Sequence, residues 1–140
     1  MVIHPAFTCR AALAAAALAV LTAWSAPAFA LDLNSLRAEN KLPPLSYSAT
    51  LAGAAHSHAR DMAQRNTLDH AGFKERAKVS GGMAAENVSW GCDDQPCAIL
   101  QWAKSPGHRK NMLLKGVSAY GIASATADSG RKYWVMMLGN

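Results

Sequence analysis

The chain carries no Gly-rich phosphate loop, no nucleophile elbow and no His-Glu-x-x-His helix. Those absences remove the direct signatures of nucleotide binding, serine-hydrolase chemistry and zinc proteolysis. Cysteine is scarce, at three residues. A thiolate metal centre at Cys92 and Cys97 would need further soft ligands, and none lies nearby in the sequence. Basic residues outnumber acidic ones fourteen to nine, but they fall in short clusters: Lys74, Arg76 and Lys78; Arg109 and Lys110; Arg131 and Lys132. Nucleic-acid binders carry a denser basic stripe interleaved with aromatics, so no nucleic-acid partner is expected. The charge balance fits weak attraction to an anionic cell surface.

A long apolar run occurs once, from Ala11 to Trp24. Arg10 precedes it, and Ala28-Phe29-Ala30 follows with the small-x-small pattern of a signal-peptidase site. Residues 1–30 are therefore expected to be a cleaved signal peptide. The run is short for a membrane span and no second one follows, so the mature chain is expected to have no transmembrane segment. An uncleaved anchor is the alternative, disfavoured by the well-formed cleavage site. Cleavage takes away Cys9 and a single charge, Arg10, so the formal charge falls from +5 to +4. The remaining residues, 31–140, are enough for one small domain with a single core. An exported chain folds in an oxidising compartment, which makes a Cys92–Cys97 disulfide the default. Closing so short a loop contributes about 2 kcal/mol in the chain-entropy model. Periplasmic and fully secreted locations remain alternatives.

Along the mature chain, Leu33, Leu36 and Arg37 predict a short first helix ending at Asn40, and Pro43-Pro44 then enforces an extended link. Ser48 is a good N-cap for a helix over Ala49 to Asn66. Leu51, Ala55, His58 and Met62 share one face of that helix, which predicts His58 to be a buried histidine bonded to a backbone carbonyl. His56 is predicted to be solvated. A third short helix is expected over Lys74 to Val79, ended by Gly81-Gly82. A strand is expected around Asn87 to Trp90, and a helix over Pro96 to Lys104 with Ile99, Trp102 and Ala103 inward. Tyr120–Ala125 and Lys132–Leu138 read as strands joined by the turn Asp128-Ser129-Gly130. This order predicts an α+β domain with a mainly antiparallel sheet covered by helices. Trp90, Trp102 and Trp134 are expected in its core.

Chemistry concentrates in three places. Ser105-Pro106-Gly107-His108 follows a helix and aims His108 from a turn, Leu68-Asp69-His70 supplies a second imidazole, and Ala85-Glu86-Asn87 supplies a carboxylate. Two imidazoles and a carboxylate are a minimal set for holding a divalent cation or moving a proton. Glu86 could equally satisfy a histidine and nearby backbone donors as a purely structural cluster.

Several segments, taken in order, resemble the CAP superfamily of cysteine-rich secretory proteins, insect-venom antigen five and plant pathogenesis-related proteins. They are Leu33–Arg37, Ala55–Ala63, Leu68-Asp69-His70, Ala85–Val88, Trp102–Leu113 and Tyr133–Met136. The likeness is to the short bacterial exported branch, and it spans nearly the whole mature chain. It implies a three-layer α-β-α sandwich and a cleft in which His70 and His108 are the family histidines and Glu86 the carboxylate. Longer eukaryotic members place a second glutamate where this chain has Ser105, and the family usually has glycine where it has Ala85. A hydroxyl is a poor cation ligand and no unaided base at neutral pH. The resemblance therefore implies an exported ligand- or partner-binding module, its partner a lipid, a cell-envelope component or a protein. No obligatory cofactor is expected; zinc or another divalent cation would be held weakly by His70 and His108, with Glu86 orienting them. Ser105 and Asn87 are secondary cleft candidates, although Asn87 and Asn111 read more simply as loop braces. The competing expectation is a metal-assisted hydrolase of peptides or esters, with Glu86 as base to a water held by the histidines.

Overall fold

A computed structural model of the chain describes residues 32–140. The expected signal segment, with its cleavage site, lies outside the described residues. No helix among the described residues is long and apolar enough to cross a membrane.

Helix α1, Leu33–Glu39, is started by Asp32, whose carboxylate accepts from the Ser35 amide at 2.9 Å. A two-residue strand β1, Ser46–Tyr47, follows the Pro43-Pro44 link and pairs in parallel with a later strand. It was not anticipated, because two residues carry no readable alternation. Helix α2, Ala49–Arg65, takes its N-cap from Ser48 and ends at Asn66 in the left-handed region, φ 50°. The third helix splits into α3, Phe73–Ala77, and a 3₁₀ turn at Lys78–Ser80, closed by Gly81 at φ +68°. Strand β2 is Ala85–Trp90, α4 is Gln95–Lys104 and α5 is Pro106–Met112. The chain closes with β3, Ala119–Thr126, and β4, Lys132–Gly139.

The sheet runs β1-β3-β4-β2, antiparallel except for the β1–β3 pair. Strand β4 lies inside it, and its alternating side chains serve two cores. Tyr133, Val135 and Met137 pack with Leu51, Ala55, Ala59 and Met62 of α2. Trp134, Met136 and Leu138 pack with Leu33 and Leu36 of α1, Ile99 and Trp102 of α4, and Met112 of α5. The result is the expected α+β, three-layer α-β-α sandwich.

Two glycines set how closely the layers approach. A Cβ on Gly121 would overlap the α2 backbone at Leu51 and Ala52, and one on Gly139 would overlap Ser80. Cys92 and Cys97 form the expected disulfide, with their Cα atoms 5.5 Å apart, at the head of α4. Trp90 departs from expectation. Trp102 and Trp134 are buried, but Trp90 is exposed at the strand end, with the Arg131 guanidinium 4.1 Å from its ring centroid.

Candidate functional site

Glu86 is the second residue of β2, opposite Met137, and its side chain is only 1% exposed. A carboxylate so buried needs partners. His70 donates from Nδ1 to Oε1 at 2.8 Å, while Arg76 donates from Nε to Oε2 and from Nη2 to Oε1, each at 2.9 Å. Arg76 also donates from Nη1 to the Ala71 carbonyl at 2.5 Å. In the sequence Arg76 stands in a short basic cluster with Lys74 and Lys78; in the fold its side chain is mostly buried against Glu86. Spacing could not reveal the pair, since α3 brings it together only after packing on the sheet.

The loop that carries His70 is pinned from several sides. His58, buried on α2, donates from Nε2 to the Asp69 carbonyl at 2.8 Å, the backbone bond expected of it. Since a carbonyl only accepts, this bond also fixes the His58 tautomer. The Arg65 guanidinium bonds the carboxylates of Asp61 and Asp69 together, lowering the pKa of both and holding Asp69 at about 2. The Ala71 amide adds a bond to Asp69 Oδ1 at 3.0 Å. His70 itself stays half exposed, so its ring is fixed at one nitrogen and open at the other.

His108 stands in the first turn of α5. Two asparagines stitch this helix to β2. Asn87 donates to the His108 carbonyl at 3.0 Å, and Asn111 donates to Asn87 Oδ1 at 2.9 Å and to the Glu86 carbonyl at 3.2 Å. Asn87 is fully buried and both ends of its amide are engaged, so it braces the site. Burial, and then the proximity of His70, hold the His108 imidazole below its ordinary pKa and favour its neutral form. Ser105 lies half-buried at the α4–α5 junction and makes no side-chain cap bond.

Neutral imidazoles suit zinc or copper, and the Glu86 bond to His70 Nδ1 leaves its Nε2 as the nitrogen that could ligate one. The donor set stops there. Among the described residues no three His, Cys, Asp or Glu side chains gather to hold an ion. Two imidazoles completed by water fit a weak, exchangeable site and not a structural one. A hollow of about 660 Å³ adjoins the cluster, lined by Ser57, His58, Asp61, Arg65 and Arg76 among others. A second, of about 530 Å³, opens between the end of α2 and the β3–β4 turn. Neither is lined by His70 or His108.

The α-β-α sandwich, with a buried glutamate on the sheet bonded to a histidine, defines the class. The chain belongs to the cysteine-rich secretory protein family, CAP, whose model matches residues 32–138. It is 31% identical over 101 residues to the membrane protein YlbC of Bacillus subtilis, covering 66% of this chain but only 29% of that protein. An extracellular protein of Bacillus anthracis containing an SCP domain superimposes with a TM-score of 0.63 at 26% identity, covering 77% of this chain and 37% of that one. An outer surface protein of Borrelia burgdorferi shares the fold, with a TM-score of 0.66 at 18% identity over 77% of this chain and 86% of that one.

Proposed function

We propose that this protein is an exported CAP-domain binding module. It meets a lipid, cell-envelope component or protein outside the cytoplasm, and its His70–His108 cleft holds a divalent cation weakly. Support for export comes from residues 1–30, with their apolar run and cleavage pattern, and from the extracellular and outer-surface proteins that share the fold.

The engagement of Glu86 by Arg76 and His70 carries the choice of binding over catalysis. Both its oxygens already accept hydrogen bonds from Arg76, and Oε1 accepts another from His70. A general base needs a free oxygen within reach of the proton it takes. The hydrolase reading gives Glu86 that task, and the bound guanidinium counts against it.

Calorimetric titration of zinc into residues 31–140, which contain both cores, tests the reading beside a His70→Ala/His108→Ala variant. Saturable binding by the parent alone is the expected result. Equal binding by both, or none by either, would remove the cation from the proposal. Zinc-dependent ester or peptide turnover lost in His108→Ala would replace the binding module with the hydrolase.

A further inference from the structure

We propose that Arg76 is the built-in counter-cation of this site and that its charge sets how weakly His70 and His108 hold a divalent ion. The inference rests on the reading of those imidazoles as ligands. Among the described residues Glu86 is the only carboxylate bonded to either histidine, and its side chain is 1% exposed. Left alone, it would offer a full negative charge beside any cation on His70. Arg76 cancels that charge with two bonds at 2.9 Å from a group that does not lose its proton.

The guanidinium is lodged for this task. Its third nitrogen, Nη1, donates to the Ala71 carbonyl at 2.5 Å. Gly72, at φ +71°, leaves the space beside it open, since a Cβ there would stand 3.2 Å from Nη1. The other imidazole near the carboxylate, His58, is 3.9 Å from Oε1 and has its Nε2 proton on the Asp69 carbonyl. Arg76 is therefore the permanent positive charge of the cluster, and a metal at the imidazoles meets a neutral ion pair where a bare carboxylate would attract it. Arg76 is a positioning and charge-setting residue; it is not a ligand.

Charge counting makes the test. Relative to the parent pair, Arg76→Gln leaves the site one unit more negative and Glu86→Gln one unit more positive, while the double variant returns it to neutral. Zinc calorimetry at pH 7 on residues 31–140 is expected to show Arg76→Gln binding about tenfold tighter or more. Glu86→Gln is expected to bind weaker by a similar factor, and the double variant to fall back near the parent. Arg76→Lys, which keeps the charge, is expected to stay within about threefold of the parent. Adding His108→Ala to Arg76→Gln should abolish the gain.

Equal or weaker binding by folded Arg76→Gln would overturn the proposal, as would a double variant no tighter than Glu86→Gln. If Arg76→Gln fails to fold, the comparison of Glu86→Gln with the double variant decides. A parent that binds no zinc while Arg76→Gln binds it through His108 would correct the reading of the parent site yet uphold the role of Arg76. Absence of binding in every variant would overturn both.

Discussion

Arg37 Nη1 donates to the carbonyl of Met112 at 2.9 Å, joining residues seventy-five positions apart in the chain. The same nitrogen reaches the Leu114 carbonyl at 3.0 Å, and Nε reaches that of Pro43 at 2.9 Å. At 1% exposure, this guanidinium ties α1 to the end of α5, the helix that carries His108. It has no carboxylate partner among the described residues; its three bonds go to backbone carbonyls, and burial lowers its pKa.

Removing Arg37 strands three acceptors in or near the core. Arg37→Ala is expected to cost about 3 kcal/mol, measured by urea unfolding. Arg37→Lys, with a compact ammonium in place of the fork, should recover only part of that loss.

Gly121 has no room for a side chain under α2. Gly121→Ala is expected to push the helix off the sheet at Leu51 and Ala52 and to cost about 2–3 kcal/mol. Gly53, whose Cβ would meet nothing within 4 Å, is the control: Gly53→Ala on the same helix should be neutral or stabilising.

The Arg65 network predicts a pH signature. Asp61 and Asp69 have lowered pKa values in the folded chain, so their contribution is present above the ordinary carboxylate value near 3.8 and is lost as pH falls toward the lowered values, about 2 for Asp69. Melting temperatures of the parent and Arg65→Ala should differ at pH 6 and draw together only as pH falls to about 2, through the lowered Asp69 pKa. The side chains are partly exposed, so added salt should shrink the gap at pH 6.

Tryptophan substitutions should separate the two environments. Trp102→Ala empties a fully buried site and is expected to cost about 3–5 kcal/mol, whereas Trp90→Ala should cost about 1 kcal/mol or less. Thermal unfolding of both variants checks the contrast.

The disulfide gives a fifth test. Cys92→Ser/Cys97→Ser should lower stability by about 2 kcal/mol while leaving zinc affinity unchanged, since the bridge lies at the opposite end of α4 from His108.

Local patterns made much of this readable in advance. Ser48 before an apolar stripe marked α2 and the burial of His58, because helical spacing alone decides which side chains share a face. Alternation through Lys132–Leu138, with the Asp128-Ser129-Gly130 turn before it, marked the closing hairpin. The same kind of local logic failed for Trp90, which has a strand's composition but is the last residue of the strand and stands exposed there.

The sequence by itself determined an α+β order of helices covering a mainly antiparallel sheet and the disulfide pair, while its likeness to the CAP family implied the three layers and pointed to His70, Glu86 and His108. Periodicity, caps and ordered motifs all act over a few residues, and such signals survive without a fold. Only the tertiary structure decided what Glu86 is bonded to. Arg76 lies ten residues before it, Asn111 twenty-five after, and neither spacing repeats with any helix or strand. A buried carboxylate takes whichever cation the packed layers deliver. That delivery depends on how α3 and α5 dock on the sheet, a property of the whole core and of no single segment.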